Sequence, residues 1–182
     1  MPDALSVVFT IGHSILPLSE FLARLEAHGV KTLVDVRSRP RSTRHPHFSG
    51  GPLAAALAER GIHYVHRPDL GGLRAPRPDS RHRALRVDAF RGYADHMETA
   101  EFAAGRLAVE ALARESPTAV MCAEARPADC HRSMLSDALR VAGVRVEHIV
   151  DTGPRVPHQH PRTLRVENGV LVYDAGQRTL LD

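Results

Sequence analysis

The residues best suited to chemistry lie in one short stretch of the chain. The sequence MCAE at 121–124 is followed by CHR at 130–132. A cysteine at a strand end, beside the N-terminus of the next helix, has its thiolate favoured by the helix dipole and by neighbouring cations. Cys122 is therefore a candidate nucleophile, although a free cysteine at a buried strand end is also common as a small apolar filler.

Glu124 lies in the same stretch and has two alternative roles. An acid in a basic pocket is either an ion-pair partner, here for Arg37 or Arg132, or a general acid/base with a shifted pKa. Cysteine phosphatases and rhodaneses offer a template for a thiol site of this kind. The spacing disagrees, because a C-x5-R loop beginning at Cys122 would end at Ala128 instead of an arginine.

The elements that must position these residues are short strands alternating with helices. Strands are predicted at 6–11, 31–36, 62–66, 118–122 and 144–150, and helices at 17–29, 52–60, 90–97, 99–112 and 131–141. The alternation predicts an α/β domain over residues 1–150, with three layers: a mainly parallel sheet of about five strands and helices on both faces.

Residues 151–182 are predicted to form a C-terminal extension packed on the same domain. Asn168-Gly169 lies between two apolar runs, 163–166 and 170–173. Asn-Gly between such runs is the strongest short signal of a β-hairpin. We therefore expect an antiparallel hairpin appended to the sheet.

Polar side chains follow the predicted strands at only one end. The carboxyl ends deliver Gly12, His13, Ser14, Asp35, Arg37, Tyr64, His66, Cys122 and Glu124. The amino ends carry Ser6, Lys31 and Thr118, which form no comparable set. Because ligands of parallel α/β sheets bind beyond the carboxyl ends of the strands, we expect one pocket at this edge.

Positive charge is concentrated in two segments. Residues 37–48 contain four arginines and no acid, and residues 74–91 contain six arginines against Asp79 and Asp88. The formal net charge of the whole chain is only +3, so the remainder is net acidic. Two such segments either attract an anion, if they converge in space, or form solvated loops.

Composition limits the class of protein. With 182 residues, 43% hydrophobic and 25% charged, the chain fits one globular domain and excludes collagenous, coiled-coil and wholly disordered classes. It has no apolar run long enough for a bilayer, and residues 1–4 do not resemble a signal peptide. We expect a cytoplasmic protein with no membrane partner, whose two cysteines are free thiols or ligands.

A metal or redox site is a weaker interpretation of the same residues. Cys122, Cys130, His131 and His13 could surround zinc, but the chain has no C-x-x-C pair. His158 and His160 lie in a proline-rich loop and are expected on the surface. A redox pair would require Cys122 and Cys130 to approach, and a Cα separation beyond about 7 Å would demand backbone movement. No metal site is predicted.

The order of the motifs resembles a known family. The residues concerned are Thr10 to Ser14, Asp35 to Arg37 with Pro40, Phe48, Gly61, Ile62 and Tyr64, Leu70 to Gly72 with Arg74, Met121 to Glu124, and Cys130 to Arg132. Across roughly residues 7–150 they resemble DUF488, a family of domains of unknown function. The resemblance implies an α/β domain of the bacterial and archaeal cytosol with no assigned substrate.

These observations predict an enzyme, a hydrolase or a transferase, that acts on an anionic, nucleotide- or phosphate-like ligand at the carboxyl edge. Cys122, Glu124, Asp35 and His13 are the catalytic candidates, His13 as proton carrier or orienting donor. The ligand-binding candidates are Gly12, Ser14, Arg37, Arg74, Tyr93, Cys130, His131 and Arg132. No cofactor follows from the sequence. The alternatives are a nucleic-acid-binding module whose arginine-rich loops contact phosphates and a Cys/His metal or redox site.

Overall fold

The computed structural model describes residues 7–174, and the predicted alternation of strands and helices is present in it. The helices are α1 (Leu18–Ala27), α2 (Gly50–Ala58), α3 (Asp88–His96), α4 (Ala100–Glu115) and α5 (Arg132–Val141). The strands are β1 (Val7–Gly12), β2 (Thr32–Asp35), β3 (His63–His66), β4 (Thr118–Cys122), β5 (Arg145–His148), β6 (Val156–Pro157), β7 (Leu164–Glu167) and β8 (Val170–Tyr173).

A six-stranded sheet, with strand order β3-β2-β4-β1-β5-β6, forms the centre of the molecule. The pairs among β1 to β5 are parallel, whereas β6 pairs antiparallel with β5. The mainly parallel sheet is therefore confirmed, with one strand more than expected. The extra strand, Val156–Pro157, has only two residues and lies at the sheet edge, where proline is tolerated.

Helices cover both faces of the sheet, as the three-layer prediction requires. On one face, Phe21 and Leu25 of α1 and Leu57 of α2 pack in one buried cluster. On the other face, Phe102 of α4 and Leu135 of α5 belong to a second buried cluster. Each fully buried leucine or phenylalanine contributes about 2 kcal/mol by leaving water, so these contacts fix the helices that frame the sheet ends.

The C-terminal hairpin forms around the predicted turn but does not join the sheet. Asn168 and Gly169 have φ values of 51° and 81°, the left-handed conformations that a two-residue hairpin turn of this type requires. β7 and β8 make a separate two-stranded sheet, so the expected attachment to the main sheet is wrong. Tyr173, which is 1% exposed, instead anchors the hairpin by donating its hydroxyl proton to Asp137.

The connections leave a crevice between the carboxyl ends of β1 and β4. The chain leaves β1 through α1 on one face of the sheet and leaves β4 through α5 on the other. Adjacent strands whose connections diverge in this way form the switch point at which open α/β sheets bind ligands. The described helices are all too short or too polar to cross a bilayer.

Candidate functional site

A cavity of about 360 Å³ opens at the carboxyl edge, beside the ends of β1 and β4. Three segments bring polar or sulfur-containing side chains to it: the end of β1, the loop after β2, and the segment from β4 to α5. These side chains belong to His13, Arg37, Ser38, Arg39, Arg41, Ser42, Cys122, Glu124, Asp129, Cys130 and His131. Six of the residues singled out in the sequence therefore meet at one opening: His13, Arg37, Cys122, Glu124, Cys130 and His131.

Gly12 and Ser14 shape the cavity without lining it. A Cβ atom at Gly12 would lie 1.8 Å from the carbonyl oxygen of Glu124, so only glycine lets the loop after β4 close onto β1. The backbone N–H of Ser14 donates to the carbonyl of Ala123 at 2.8 Å, which continues the pairing of the two strands past their ends. These contacts hold Cys122 and Glu124 beside His13.

Asp35 is fully buried and does not reach the cavity surface. Arg37 donates to it twice, from Nε to Oδ1 at 2.9 Å and from Nη2 to Oδ2 at 2.6 Å. The hydroxyl of Tyr64 donates to the same Oδ2 at 2.7 Å, and burial together with this bond raises the pKa of Tyr64. The geometry thus gives Asp35 the position of an anchor for Arg37 instead of the acid/base position expected.

His13 orients the outer face of Arg37. Burial lowers the pKa of His13 to about 4, so the ring is neutral near pH 7. Its Nδ1 lies 3.0 Å from the carbonyl of Ser14, which assigns the proton to that nitrogen and leaves Nε2 to accept from Nη1 of Arg37 at 3.3 Å. The ring stacks on Phe48 at 4.3 Å. Of the two roles expected for His13, this geometry favours orientation.

Arg39 and Arg41 bring unpaired positive charge to the cavity. Both are exposed, and neither makes an ion pair with any residue in the range 7–174. Arg37 adds a third guanidinium, although Asp35 neutralises most of its charge. An anion entering the cavity therefore meets two cations, Arg39 and Arg41, that no carboxylate within residues 7–174 pairs with.

Cys122 and Cys130 form a disulfide, so the expectation of two free thiols is wrong. Their Cα atoms lie 7.5 Å apart, slightly beyond the separation of about 7 Å above which a bridge was expected to need backbone movement. Sγ of Cys130 also accepts the backbone N–H of Arg132 at 3.4 Å, at the start of α5. Of the two sulfurs, that of Cys130 therefore has the donor that would stabilise a thiolate.

His131 presents a free lone pair to this sulfur. Its Nε2 lies 3.2 Å from the carbonyl of Val36, so the proton is assigned to Nε2, and Nδ1 faces Sγ of Cys130 at 3.6 Å. Burial lowers the pKa of His131 to about 4. The ring of Tyr93 packs against it at 4.9 Å, and the Tyr93 hydroxyl donates to the carbonyl of Leu70. Tyr93 thus supports His131 and does not line the cavity.

Arg132 holds a buried positive charge close to the loop that follows β4. It is 1% exposed, and Nη2 donates to the carbonyl of Ala125 at 3.1 Å. Nε and Nη1 have no acceptor within the described part of the chain. Burial lowers the pKa of Arg132 to about 10, which leaves it cationic at neutral pH. Its side chain does not line the cavity, so any ligand would feel its field instead of its hydrogen bonds.

Glu124 is exposed at the cavity and makes no direct ion pair with the residues that the structure describes. A direct pair with Arg37 or Arg132 is therefore absent among the described residues, but the charge of Glu124 does act on Arg132: burial, the larger cause, lowers the pKa of Arg132, and Glu124 raises it. Both roles expected for Glu124, partner of Arg132 and general acid/base, agree with this position.

The second arginine-rich segment does not bring its cations to the cavity. Arg74 donates from Nε to the carbonyl of Gly71 at 3.0 Å and lies 4.0 Å from Glu101. Arg77 and Arg81 both bind Glu98. The segment contributes only apolar wall, from Leu73 and from the start of α3. The two charged segments therefore do not converge on one cavity, as a joint anion site would require.

Some residues that line the cavity were not predicted from the sequence. Ser38 lines the cavity and donates to the carbonyl of Gly72 at 2.8 Å. Leu73 has a φ of 60° and is 89% exposed at the rim. Ser38 directly follows Arg37 in the loop after β2, and this position could have indicated that it lines the cavity. Nothing in the local sequence indicates the turn that exposes Leu73.

Comparison with known proteins agrees with the motifs. Residues 17–139, from the residue before α1 into the last turn of α5, match the model of a family described as "Domain of unknown function DUF488". No curated protein and no solved structure matches the chain.

Proposed function

The chain belongs to the DUF488 family, whose description assigns no activity, and we propose that it is an enzyme acting on an anionic, phosphate- or nucleotide-like substrate in the carboxyl-edge cavity. The observation that carries the proposal is one opening that holds the Cys122–Cys130 pair together with Arg39 and Arg41, which make no ion pair within the described range 7–174. Its volume of about 360 Å³ suits a small molecule.

The sulfur of Cys130 is the best-supported nucleophile. Reduction of the disulfide by a cellular thiol such as glutathione gives two cysteine thiols and oxidises the reductant. The Cys130 thiol then donates a hydrogen bond to Nδ1 of His131, which takes the proton as the sulfur attacks, and the backbone N–H of Arg132 stabilises the developing thiolate. Cys122, the nucleophile expected from sequence, has no equivalent base among its contacts in the described residues, so we assign it the role of resolving partner.

Group transfer would follow from these positions. The thiolate attacks the phosphorus of a bound phosphate ester, a sulfur–phosphorus bond forms, and the bond to the leaving oxygen breaks. That oxygen takes the proton held by His131. Water that gives its proton to Glu124 then attacks the phosphorus and displaces the thiolate, or an acceptor alcohol does the same. The first outcome is hydrolysis and the second is transfer. A reducing compartment such as the cytoplasm belongs to this proposal because it supplies the thiol form.

The test is hydrolysis of p-nitrophenyl phosphate and of AMP, with and without dithiothreitol. Activity is expected only in the reduced protein. Cys130→Ser should abolish it with an unchanged circular dichroism spectrum, and His131→Gln should lower kcat by about 10²–10⁴. Cys122→Ser is the matched control and should stay active without reductant, because no disulfide can form. Full activity of Cys130→Ser would contradict the proposed chemistry.

Nucleic-acid binding is the alternative favoured by Arg39, Arg41 and Arg44, which are exposed and make no ion pair within residues 7–174. These three arginines alone make about three phosphate contacts available. Duplex binding through them would give a log–log salt slope near −2.7. A slope of this size, with no turnover of any phosphate ester, would favour the binding module over the enzyme.

A further inference from the structure

A second cavity, of about 610 Å³, lies on the face of the sheet that α5 and the hairpin cover. Its lining includes Asp137 from α5, His158 from the segment after β6, His148 from the end of β5, and Tyr173 from β8. None of these residues lines the carboxyl-edge cavity. His158 was expected on the surface, but it is 7% exposed, and Asp137 is 1% exposed.

Two imidazoles converge on one oxygen of Asp137. Nε2 of His158 lies 2.8 Å from Oδ1, and Nδ1 of His160 lies 2.9 Å from the same atom. One ligand atom from each of the three residues falls within 4.8 Å of the others. A single ion could therefore contact all three after small side-chain rotations, since metal–ligand bonds to these groups are about 2.0–2.2 Å long.

Further polar side chains form hydrogen bonds with Asp137 and His158, as commonly happens around the ligands of a metal site. The hydroxyl of Tyr173 donates to the other oxygen of Asp137 at 2.8 Å. Nδ1 of His158 lies 3.0 Å from Nε2 of His148, and Nδ1 of His148 lies 2.7 Å from the hydroxyl of Thr10. Such contacts fix the orientation and tautomer of ligating side chains.

From this arrangement we infer a binding site for a divalent transition-metal ion of the zinc class. The ligands are Oδ1 of Asp137, Nε2 of His158 and Nδ1 of His160. Two imidazoles with one carboxylate suit zinc, cobalt or iron better than calcium or magnesium, which prefer oxygen ligands. Three protein ligands leave one coordination position for water or for a ligand from the cavity, the pattern of reactive zinc sites.

The histidine chain can adopt the protonation order that coordination requires. Nε2 of His158 must offer a lone pair to the ion, so its proton lies on Nδ1 and is donated to Nε2 of His148. The proton of His148 then lies on Nδ1 and is donated to the oxygen of Thr10. With the protons placed in this way, the hydroxyl of Thr10 and the rings of His148 and His158 all keep a hydrogen-bond partner.

The site is independent of the proposed thiol chemistry, and the test separates the two. Zinc and cobalt chloride are titrated into the full chain in its oxidised form, which has no free thiol among the described residues. We expect one ion per chain by calorimetry. The cobalt spectrum should show bands of nitrogen and oxygen coordination without thiolate-to-cobalt charge transfer. A charge-transfer band, or the absence of saturable one-to-one binding, would overturn the proposal.

The decisive variant is His160→Ala, because this half-exposed side chain can be removed with little effect on the core. Affinity for zinc should fall at least tenfold, whereas His63→Ala, an exposed histidine on β3, should bind as the wild type does. His160→Gln replaces His160→Ala if the latter loses the wild-type circular dichroism spectrum. Equal affinity in the His160 and His63 variants would overturn the assignment of these ligands.

Discussion

The two arginine-rich segments look alike in sequence and differ in the folded protein. In residues 37–48, Arg39, Arg41 and Arg44 are exposed and make no ion pair with the described residues. In residues 74–91, Arg77 and Arg81 are held by Glu98, and Arg91 is held by Asp88. The first segment therefore presents charge to a ligand, whereas most of the charge of the second serves the scaffold.

The difference arises from acids that are remote in the chain. Glu98 lies in the short link between α3 and α4, and Glu167 is the last residue of β7, yet both form ion pairs with Arg81. A count of charges within each segment cannot include such partners. The net charge of a segment therefore says little about anion binding until its ion pairs are known.

The largest loss of stability is expected at Arg37, because it is the arginine of the first segment that forms an ion pair. Its guanidinium pairs with the fully buried Asp35, so Arg37→Gln leaves a buried carboxylate without its cation. We expect a loss of about 3–5 kcal/mol in the free energy of unfolding, measured with urea. Arg44→Gln, at an exposed and unpaired position, is the control and should change little. A loss below about 1 kcal/mol at Arg37 would contradict the anchoring role of Asp35.

The next largest effect is a loss of anion affinity when Arg39 and Arg41 are replaced. Arg39→Gln with Arg41→Gln should weaken the binding of AMP at least tenfold, which is about 1.4 kcal/mol, with unfolding unchanged. The reason is that both side chains line the cavity and are bound to no carboxylate in the part of the chain that the structure describes. Calorimetric titration measures the affinity. Unchanged affinity in this double variant would remove the basis for an anion site here.

The free energy of unfolding should depend on pH because His131, unlike the arginines, changes its charge in the accessible pH range. His131 has its folded pKa lowered by burial from 6.5 to about 4, so the stability that it contributes is present above pH 6.5 and is lost as pH falls toward 4. We expect His131 to account for about 1 kcal/mol of the loss per pH unit in this window, measured by urea unfolding, while His13 and His148, whose pKa values burial also lowers to about 4, add to the total. His131→Gln should reduce the slope by the His131 contribution. An equally steep slope in the variant would show that His131 is not buried as a neutral group.

The smallest effect is expected for the paired arginines of the second segment. Arg81→Gln with Arg91→Gln should destabilise the protein by about 1 kcal/mol or less, because the two side chains are 43% and 31% exposed and such pairs are weak. The affinity for AMP should not change. A loss of AMP affinity equal to that of the Arg39 and Arg41 variant would erase the distinction between the segments.

Much of the fold could be predicted from local pattern. β4 occupies the predicted residues 118–122, and Thr99 accepts the backbone N–H of Phe102 as the expected N-cap of α4. Asn168-Gly169 forms the turn of the hairpin. These features depend on side-chain periodicity and backbone preference within a few residues. The pairing partner of the hairpin depends on tertiary packing, which explains the error there.

The candidate site could be predicted in part for a similar reason. The polarity of parallel strands brings His13 and Cys122 to one edge whatever the loops do. The direction of each side chain is set by partners elsewhere in the chain, so Asp35 turns inward to Arg37 and Arg74 turns to Gly71. The disulfide and the contact of His158 with Asp137 likewise depend on loop packing that no local pattern encodes.

The central claim is that the carboxyl-edge cavity binds an anion. The most direct test is mapping of backbone amide chemical shifts in the reduced full chain while AMP is added up to about 10 mM, a range that detects millimolar binding. We expect saturable shifts at residues 37–42, 122–124 and 130–132, and none in the arginine-rich stretch 77–86. Shifts centred on 77–86, or no saturable shift at any residue, would contradict it.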